Sequence, residues 1–227
     1  MTTYKNTLIG YLLLISLTAC GGGGGGGAAD TPVNNTTSGQ YDLVDYLFDQ
    51  SLAITSNTVE YPVSVYDKTT GELSVEYTDH FEKTIDDTIV WTSSSEPAST
   101  YVITATSINE TVHSANNSLR ANQRFVDIGT EYMNANADLP PLGTQNARCS
   151  VTGHHATVDL ASLTGAFSLV AGSYSDVLEI NCITSFVVDS TLAEHTNLTH
   201  YYARDMGLIF TEGQLLFFGD VYIIPGL

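Results

Sequence analysis

Six histidines, three cysteines and 25 acidic side chains are the groups of this 227-residue chain that could carry chemistry. Their spacing decides which chemistry. His154-His155 is the one adjacent histidine pair, and neighbours on a strand point to opposite faces, so the two could share an ion only in a turn after Gly153. His195 and His200 flank Asn197-Leu198-Thr199 and form a second candidate pair. The H-E-x-x-H spacing of zinc proteases is absent. So is G-x-S-x-G: neither Gly172-Ser173 nor Gly153-His154 continues into a nucleophile elbow. With 25 acids some pair always suits a two-carboxylate glycosidase, and that pattern alone assigns nothing. Asp67-Lys68-Thr69-Thr70-Gly71-Glu72 lacks the register of a calcium loop and reads as a hairpin turn, with Gly71 where positive φ is needed. No catalytic residue, metal ligand or cofactor is assigned from these patterns. The expectation is a non-enzymatic protein, with an envelope hydrolase or metal-binding protein as the alternative.

The most specific signal lies at the N-terminus. Leu8 to Leu17 is an apolar run with Lys5 as its only neighbouring charge, too short to span a bilayer and suited to the core of a signal peptide. It ends in Leu17-Thr18-Ala19-Cys20, and Gly21 to Gly27 follow. This arrangement resembles the lipobox of bacterial lipoproteins, whose cysteine is acylated and becomes the first residue of the mature protein. The resemblance implies a signal peptide over 1–19, lipidation (diacylglyceryl, palmitate) at Cys20, and a lipid bilayer as the partner reached through it. Gly21 stands where enterobacterial lipoproteins retained in the inner membrane carry aspartate, which implies the outer membrane of a Gram-negative cell, with the periplasmic or surface side left open. Ordinary secretion with cleavage near Ala19 is the rival reading.

With Cys20 assigned to lipid, Cys149 and Cys182 remain as an even pair in an oxidising compartment, and one disulfide is the default. A catalytic thiol or a two-cysteine metal site is the alternative, although neither cysteine sits in C-x-x-C or at zinc-ligand spacing from a histidine. Removing residues 1–19 takes away Lys5 and no acid, leaving 25 acids against six Lys and Arg and a formal charge of −19. Such a surface is a poor partner for nucleic acid, whose binding requires cations to neutralise phosphate. It is a solvated acidic surface.

Residues 20–40 are the acylated cysteine followed by Gly, Ala, Asn, Thr, Ser and Pro with little else, a composition that reads as a flexible linker. The folded part is expected over 41–227 as a single domain. Its first element, Tyr41 to Phe48, places Leu43, Val44, Leu47 and Phe48 at helical spacing, with Ser38 as a candidate cap. After it the period becomes two. From Gly71 to Lys83, Leu73, Val75, Tyr77 and Phe81 face one way and Glu72, Ser74, Glu76, Thr78, His80 and Glu82 the other. Strand-like runs recur at about 51–66, 86–93, 99–106, 109–114, 120–128, 148–160, 165–171, 174–188, 198–203, 207–211 and 214–224, divided by turns that include Glu212-Gly213. The segment from about Met133 to Gln145 reads as the longest polar loop, a lid or mobile edge. The fold class is all-β: an antiparallel meander forming a curved open sheet, half-barrel or sandwich, with a short N-terminal helix.

Two further segments, Ala171 to Ile180 (AGSYSDVLEI) and Tyr201 to Ile209 (YYARDMGLI), resemble paired segments of uncharacterised exported β-sheet lipoproteins, with Asp205 in place of a glycine. The likeness, joined by the Tyr41 to Phe48 opening, implies class and location and brings no site residues. The 13 Tyr and 8 Phe suggest a rival role, a carrier of an apolar ligand in a curved sheet lined by Tyr174 or Phe217. The partner is otherwise an unassigned envelope protein. Leu215-Leu216-Phe217-Phe218 and Val221-Tyr222-Ile223-Ile224 are apolar on both faces, as a central buried strand is.

Overall fold

A computed structural model describes residues 40–49, 59–83, 88–93, 99–112, 118–139, 143–188, 191–215 and 218–226. The period of two is realised as strands β1 (Tyr41–Asp42), β2 (Val59–Asp67), β3 (Leu73–Lys83), β4 (Thr88–Ser93), β5 (Ser99–Ile103), β6 (Ser107–Val112), β7 (Ser118–Gln123), β8 (Phe125–Val126), β9 (Glu131–Leu139), β10 (Gly143–Asp159), β11 (Ser173–Val188), β12 (Thr191–Ala203), β13 (Gly207–Leu215) and β14 (Gly219–Pro225). Two short helices, α1 (Val44–Leu47) and α2 (Leu160–Thr164), interrupt them, and a 3-10 turn, Gly165–Phe167, continues α2. Twelve strands make one antiparallel sheet in the order β7-β6-β5-β4-β3-β2-β14-β13-β12-β11-β10-β9. Every join is to a sequence neighbour but one, β2 to β14, where the two halves of the meander meet. The edge strands β7 and β9 lie against each other, so the sheet is a nearly closed up-and-down barrel. β1 and β8 pair as a separate ribbon, Tyr41 opposite Val126 and Asp42 opposite Phe125.

Alternation gives the barrel an inside and an outside, and both are apolar where the sequence is apolar on both faces. Val221 and Ile223 of β14 join the inner core with Val63, Val65, Ile180 and Leu198. Tyr222 and Ile224 join an outer cluster with Tyr201, Phe210 and Leu160. A core filled only by the wall strands would leave a lumen. Here it is filled from within: Leu43, Tyr46, Leu47 and Phe48 are each at most 1% exposed and belong to the inner core. The N-terminal segment is therefore the plug of the barrel. Phe48 meets Tyr101 edge-on with ring centroids 5.5 Å apart.

Several sequence expectations are corrected. The segment 133–145 is not a loop: β9 and β10 pair through it, Asn136 opposite Asn146 and Leu139 opposite Gly143. Its polar composition hid an alternation of Asn and Asp with Ala and Leu. Residues 165–171 are not a strand; Asp159 caps α2 by accepting from the Ala161 amide, and the following loop lays Leu169 and Val170 against the outer cluster. Glu212-Gly213 is not a turn but lies within β13, where Gly213 has φ +136° and a Cβ would collide with the Asn197 carbonyl oxygen. The glycine permits a close approach of two strands. Leu73, expected on the buried face, is 49% exposed, because the register shifts at Ser74 and sets Leu73 opposite Tyr66, on the outer face, while Val75 stays opposite Val65 on the inner one. In that turn Gly71 has φ +73°, and the Thr69 and Thr70 amides donate to Asp67, as the turn reading requires. The first helix is only four residues long, and Asp42 accepts from the Val44 amide at 3.1 Å, while Ser38 lies outside the described residues.

Candidate functional site at the N-terminal rim

An up-and-down barrel sends alternate turns to opposite rims. The turns at 104–106, 124–130 and 204–206 share one rim, and the chain enters the barrel there. Two arginines grip it. Arg124 clamps Asp42 through Nε, 2.9 Å from Oδ1, and Nη2, 2.7 Å from Oδ2, while its Nη1 donates to the Thr104 carbonyl at 2.9 Å. Arg204 bridges the plug to the wall: Nη2 donates to Asp45 at 2.9 Å and Nη1 to Asp176 at 3.0 Å. Backbone contacts tie the same pieces, from the Arg204 amide to the Asp176 carbonyl and from the Asp205 amide to the Asp45 carbonyl.

Asp176 is the hub. Its Oδ1 accepts from the Tyr46 hydroxyl at 2.7 Å and lies 2.7 Å from His154 Nε2. Asp176 has φ 54° and Asp205 φ 63°, left-handed conformations that aspartate tolerates better than most residues. At Asp176 the β10–β11 hairpin runs past the end of β12, the last pair being Val177 with Ala203, and its tip packs on the outer cluster. Residues of three segments far apart in sequence, 41–48, 171–180 and 201–209, converge on this one network.

Electrostatics follow the geometry. Burial pushes the Asp176 carboxyl up, but the hydrogen bonds from His154 and Tyr46 and the Arg204 charge outweigh it and hold it below its usual range. Burial and the hydrogen bond to Asp176 raise the Tyr46 phenol far out of reach of ionisation. Asp205 is raised, by burial first and by the charge of Asp45 second. The carboxylates of Asp42, Asp45 and Asp176 are engaged in holding side chains, and Tyr46 is fixed as a neutral donor. The chemistry this network supports is a clamp. Asp176→Ala is expected to lower stability by about 2–3 kcal/mol, since it strands the buried Tyr46 hydroxyl and strains a positive-φ residue, whereas Asp176→Asn costs less. Urea unfolding of both variants checks this; equal losses would show that backbone strain and acceptor loss are not what the aspartate provides.

The histidines separate as strand geometry requires. His154 turns to Asp176 and stacks on Tyr41 with centroids 4.9 Å apart, whereas His155 turns to Glu179 at 2.9 Å. Among the described residues no group of three or more His, Cys, Asp and Glu side chains is placed to hold a metal. His200 is buried in the barrel wall, its Nδ1 2.8 Å from Thr211 Oγ1, and its Nε2 has no hydrogen-bond partner among the described residues. The side chain of His195 lies outside them. Burial lowers the His200 pKa to about 3. Because the folded value lies below the unfolded one, the neutral ring's contribution is complete above pH ~6.5. It is lost as pH falls toward 3, at about 1.4 kcal/mol per pH unit. Comparing wild type with His200→Leu by urea unfolding at pH 7 and pH 5 is expected to show a shallower acid loss in the variant; the same loss in both would contradict the burial.

Other sites read from the sequence fall as follows. Cys149 and Cys182 stand opposite each other on β10 and β11 and are joined by a disulfide, with Cα atoms 4.2 Å apart. Tyr174 lies half-buried against the outer cluster, over Gly172, and not in the barrel interior. Phe217 and Cys20 lie outside the described residues. Sequence reasoning passed over the buried polar groups of the inner face: Glu110, which accepts from Tyr101 and Ser99 at 3.2 Å, and Asp49, which accepts from Tyr61 at 2.9 Å. The signal for Glu110 was present, since it alternates with the apolar Ile108.

No protein-family model and no curated protein sequence matches the chain. Among solved structures it is similar to a Bacteroides fragilis protein described as exported and of YmcC-like fold, at TM-score 0.46 and 7% identity, over 76% of this chain and 95% of that one. It is also similar to a Parabacteroides distasonis protein described as a lipoprotein, at TM-score 0.39 and 11% identity, over 77% of this chain and 96% of that one.

Proposed function

We propose that this chain is a lipid-anchored envelope protein, held at the outer membrane through acylated Cys20, whose plugged barrel is a non-enzymatic binding or structural module. The observation that carries the reading is the run Leu17-Thr18-Ala19-Cys20 with its seven glycines. Two or three acyl chains on one residue suffice for stable attachment, which a single chain does not give. Within about twenty residues that linker reaches Tyr41 and the plug, so the tether joins the domain at a core element clamped by Arg124 and Arg204. A tether joined to a fixed plug passes a pull on the anchor to the barrel wall. As an apolar-ligand carrier the barrel would first have to release Leu43, Leu47 and Phe48, which occupy its interior. Metabolic labelling with an alkynyl fatty acid, followed by fractionation, tests the anchor. Wild type is expected to carry the label and sediment with membranes, and Cys20→Ser to do neither. A Cys20→Ser protein that stays in the membrane fraction would overturn the reading.

A further inference from the structure

We propose that the N-terminal rim is itself a membrane-contacting surface, with Ile128 and Phe125 entering the headgroup–acyl boundary of the bilayer that holds Cys20; this rests on the lipid-anchor reading above. Among the described residues five large hydrophobic side chains are exposed, and two of them, Phe125 at 40% and Ile128 at 53%, lie three residues apart on this rim. Ile128 occupies a place where folding does not ask for it. The Thr130 amide donates to the Asp127 carbonyl at 3.0 Å and Gly129 has φ +90°, so Ile128 is the tip of a tight turn, a position dominated by polar and small residues. At the tip its side chain is solvated in the isolated domain.

The path of the chain supplies the occupant. Tyr41 pairs antiparallel with Val126 and Asp42 with Phe125, so the ribbon's N-terminal end, at Gln40, lies on the side of Asp127 and the Ile128 turn. Twenty residues, Gly21 to Gln40, then lead to Cys20, and a Gly-rich coil of that length spans roughly 25 Å. The anchor thus holds this rim, and not the opposite one, near the bilayer. A tether of this length raises the local concentration to the order of millimolar, so two side chains that could never bind a membrane alone can be held there. Local charge is compatible with neutral headgroups: Arg124 neutralises Asp42 and lies 5.2 Å from the Phe125 ring centroid, as a cation does at the boundary beside an inserted aromatic. Asp127 and the acidic surface beyond it disfavour anionic lipid, so the contact is apolar and suited to zwitterionic lipid.

The test uses the full lipidated chain in phosphatidylcholine vesicles whose acyl chains are brominated near the headgroup. Ile128→Trp is compared with Leu73→Trp, an equally exposed site at the opposite rim, with Trp91 a constant background in both. Both proteins should float with the vesicles and unfold like wild type. Emission from Ile128→Trp is expected to be quenched about two-fold relative to unbrominated vesicles and shifted to the blue, with Leu73→Trp unchanged. If both float and are quenched alike, the rim does not touch the bilayer while the anchor stands. If Ile128→Trp shifts to the blue without quenching and in proportion to protein density, the patch binds a second copy and the proposal fails. If neither variant floats, the lipid anchor fails and the rim proposal falls with it.

Discussion

Phe48→Ala is expected to destabilise the domain by about 3–5 kcal/mol, a loss typical of a core aromatic although this residue lies at the N-terminal end of the described domain. The reason is position. Phe48 is 1% exposed, sits in the inner core and stacks edge-on against Tyr101 of β5, so its removal opens a cavity inside a barrel whose wall cannot collapse to fill it. Wall strands keep about 4.8 Å spacing through their hydrogen bonds, so the lumen is held open and the lost contacts are not recovered. A segment that merely lay on the outside would lose less than about 1 kcal/mol, within the range of surface substitutions. Equilibrium urea unfolding distinguishes the two, read as a lower midpoint with an unchanged slope.

Loss of the disulfide is the second large effect. Cys149 and Cys182 are separated by 33 residues, and on the chain-entropy model their bond stabilises by about 3–4 kcal/mol. The double variant Cys149→Ala with Cys182→Ala, or reduction of the wild type, should lower the unfolding midpoint accordingly. The bridge joins β10 and β11, the longest hairpin, whose far end carries Asp176 and the outer-face tip. Reduction is therefore expected to weaken the clamp on the plug along with the hairpin. A reduced protein as stable as the oxidised one would show that the pair adds nothing to the folded state.

How far the sequence reaches can be seen in particular residues. Alternation along β3 gave the class directly, because a strand shows its two faces in a period of two. Asp79 follows the same alternation, two residues from Tyr77 and Phe81, and is 4% exposed, so its inward position was legible though a count of apolar residues skips it. The spacing of Leu43, Val44, Leu47 and Phe48 announced a helix but not its destination. Four helical residues are far below the length that is stable alone, so this one exists because the barrel buries it. Nothing local encodes that. Likewise Asp176 meets Tyr46 across 130 positions of sequence, and no local pattern links two residues so far apart. Gly213 misled in a physical way, since a glycine after an acid signals a turn, whereas here it serves a close approach to the Asn197 carbonyl within one strand.

Residues 41–48 are a core element of the barrel and not the loose end of a tether. Native-state hydrogen exchange at the Leu43 and Leu47 amides tests it most directly. The first donates to the Arg124 carbonyl and the second to the Leu43 carbonyl, both at 2.8 Å. These amides are expected to exchange only with global unfolding, with the same free energy as amides in β11 and β12. Exchange at the rate of an open chain, while the wall strands stay protected, would contradict it.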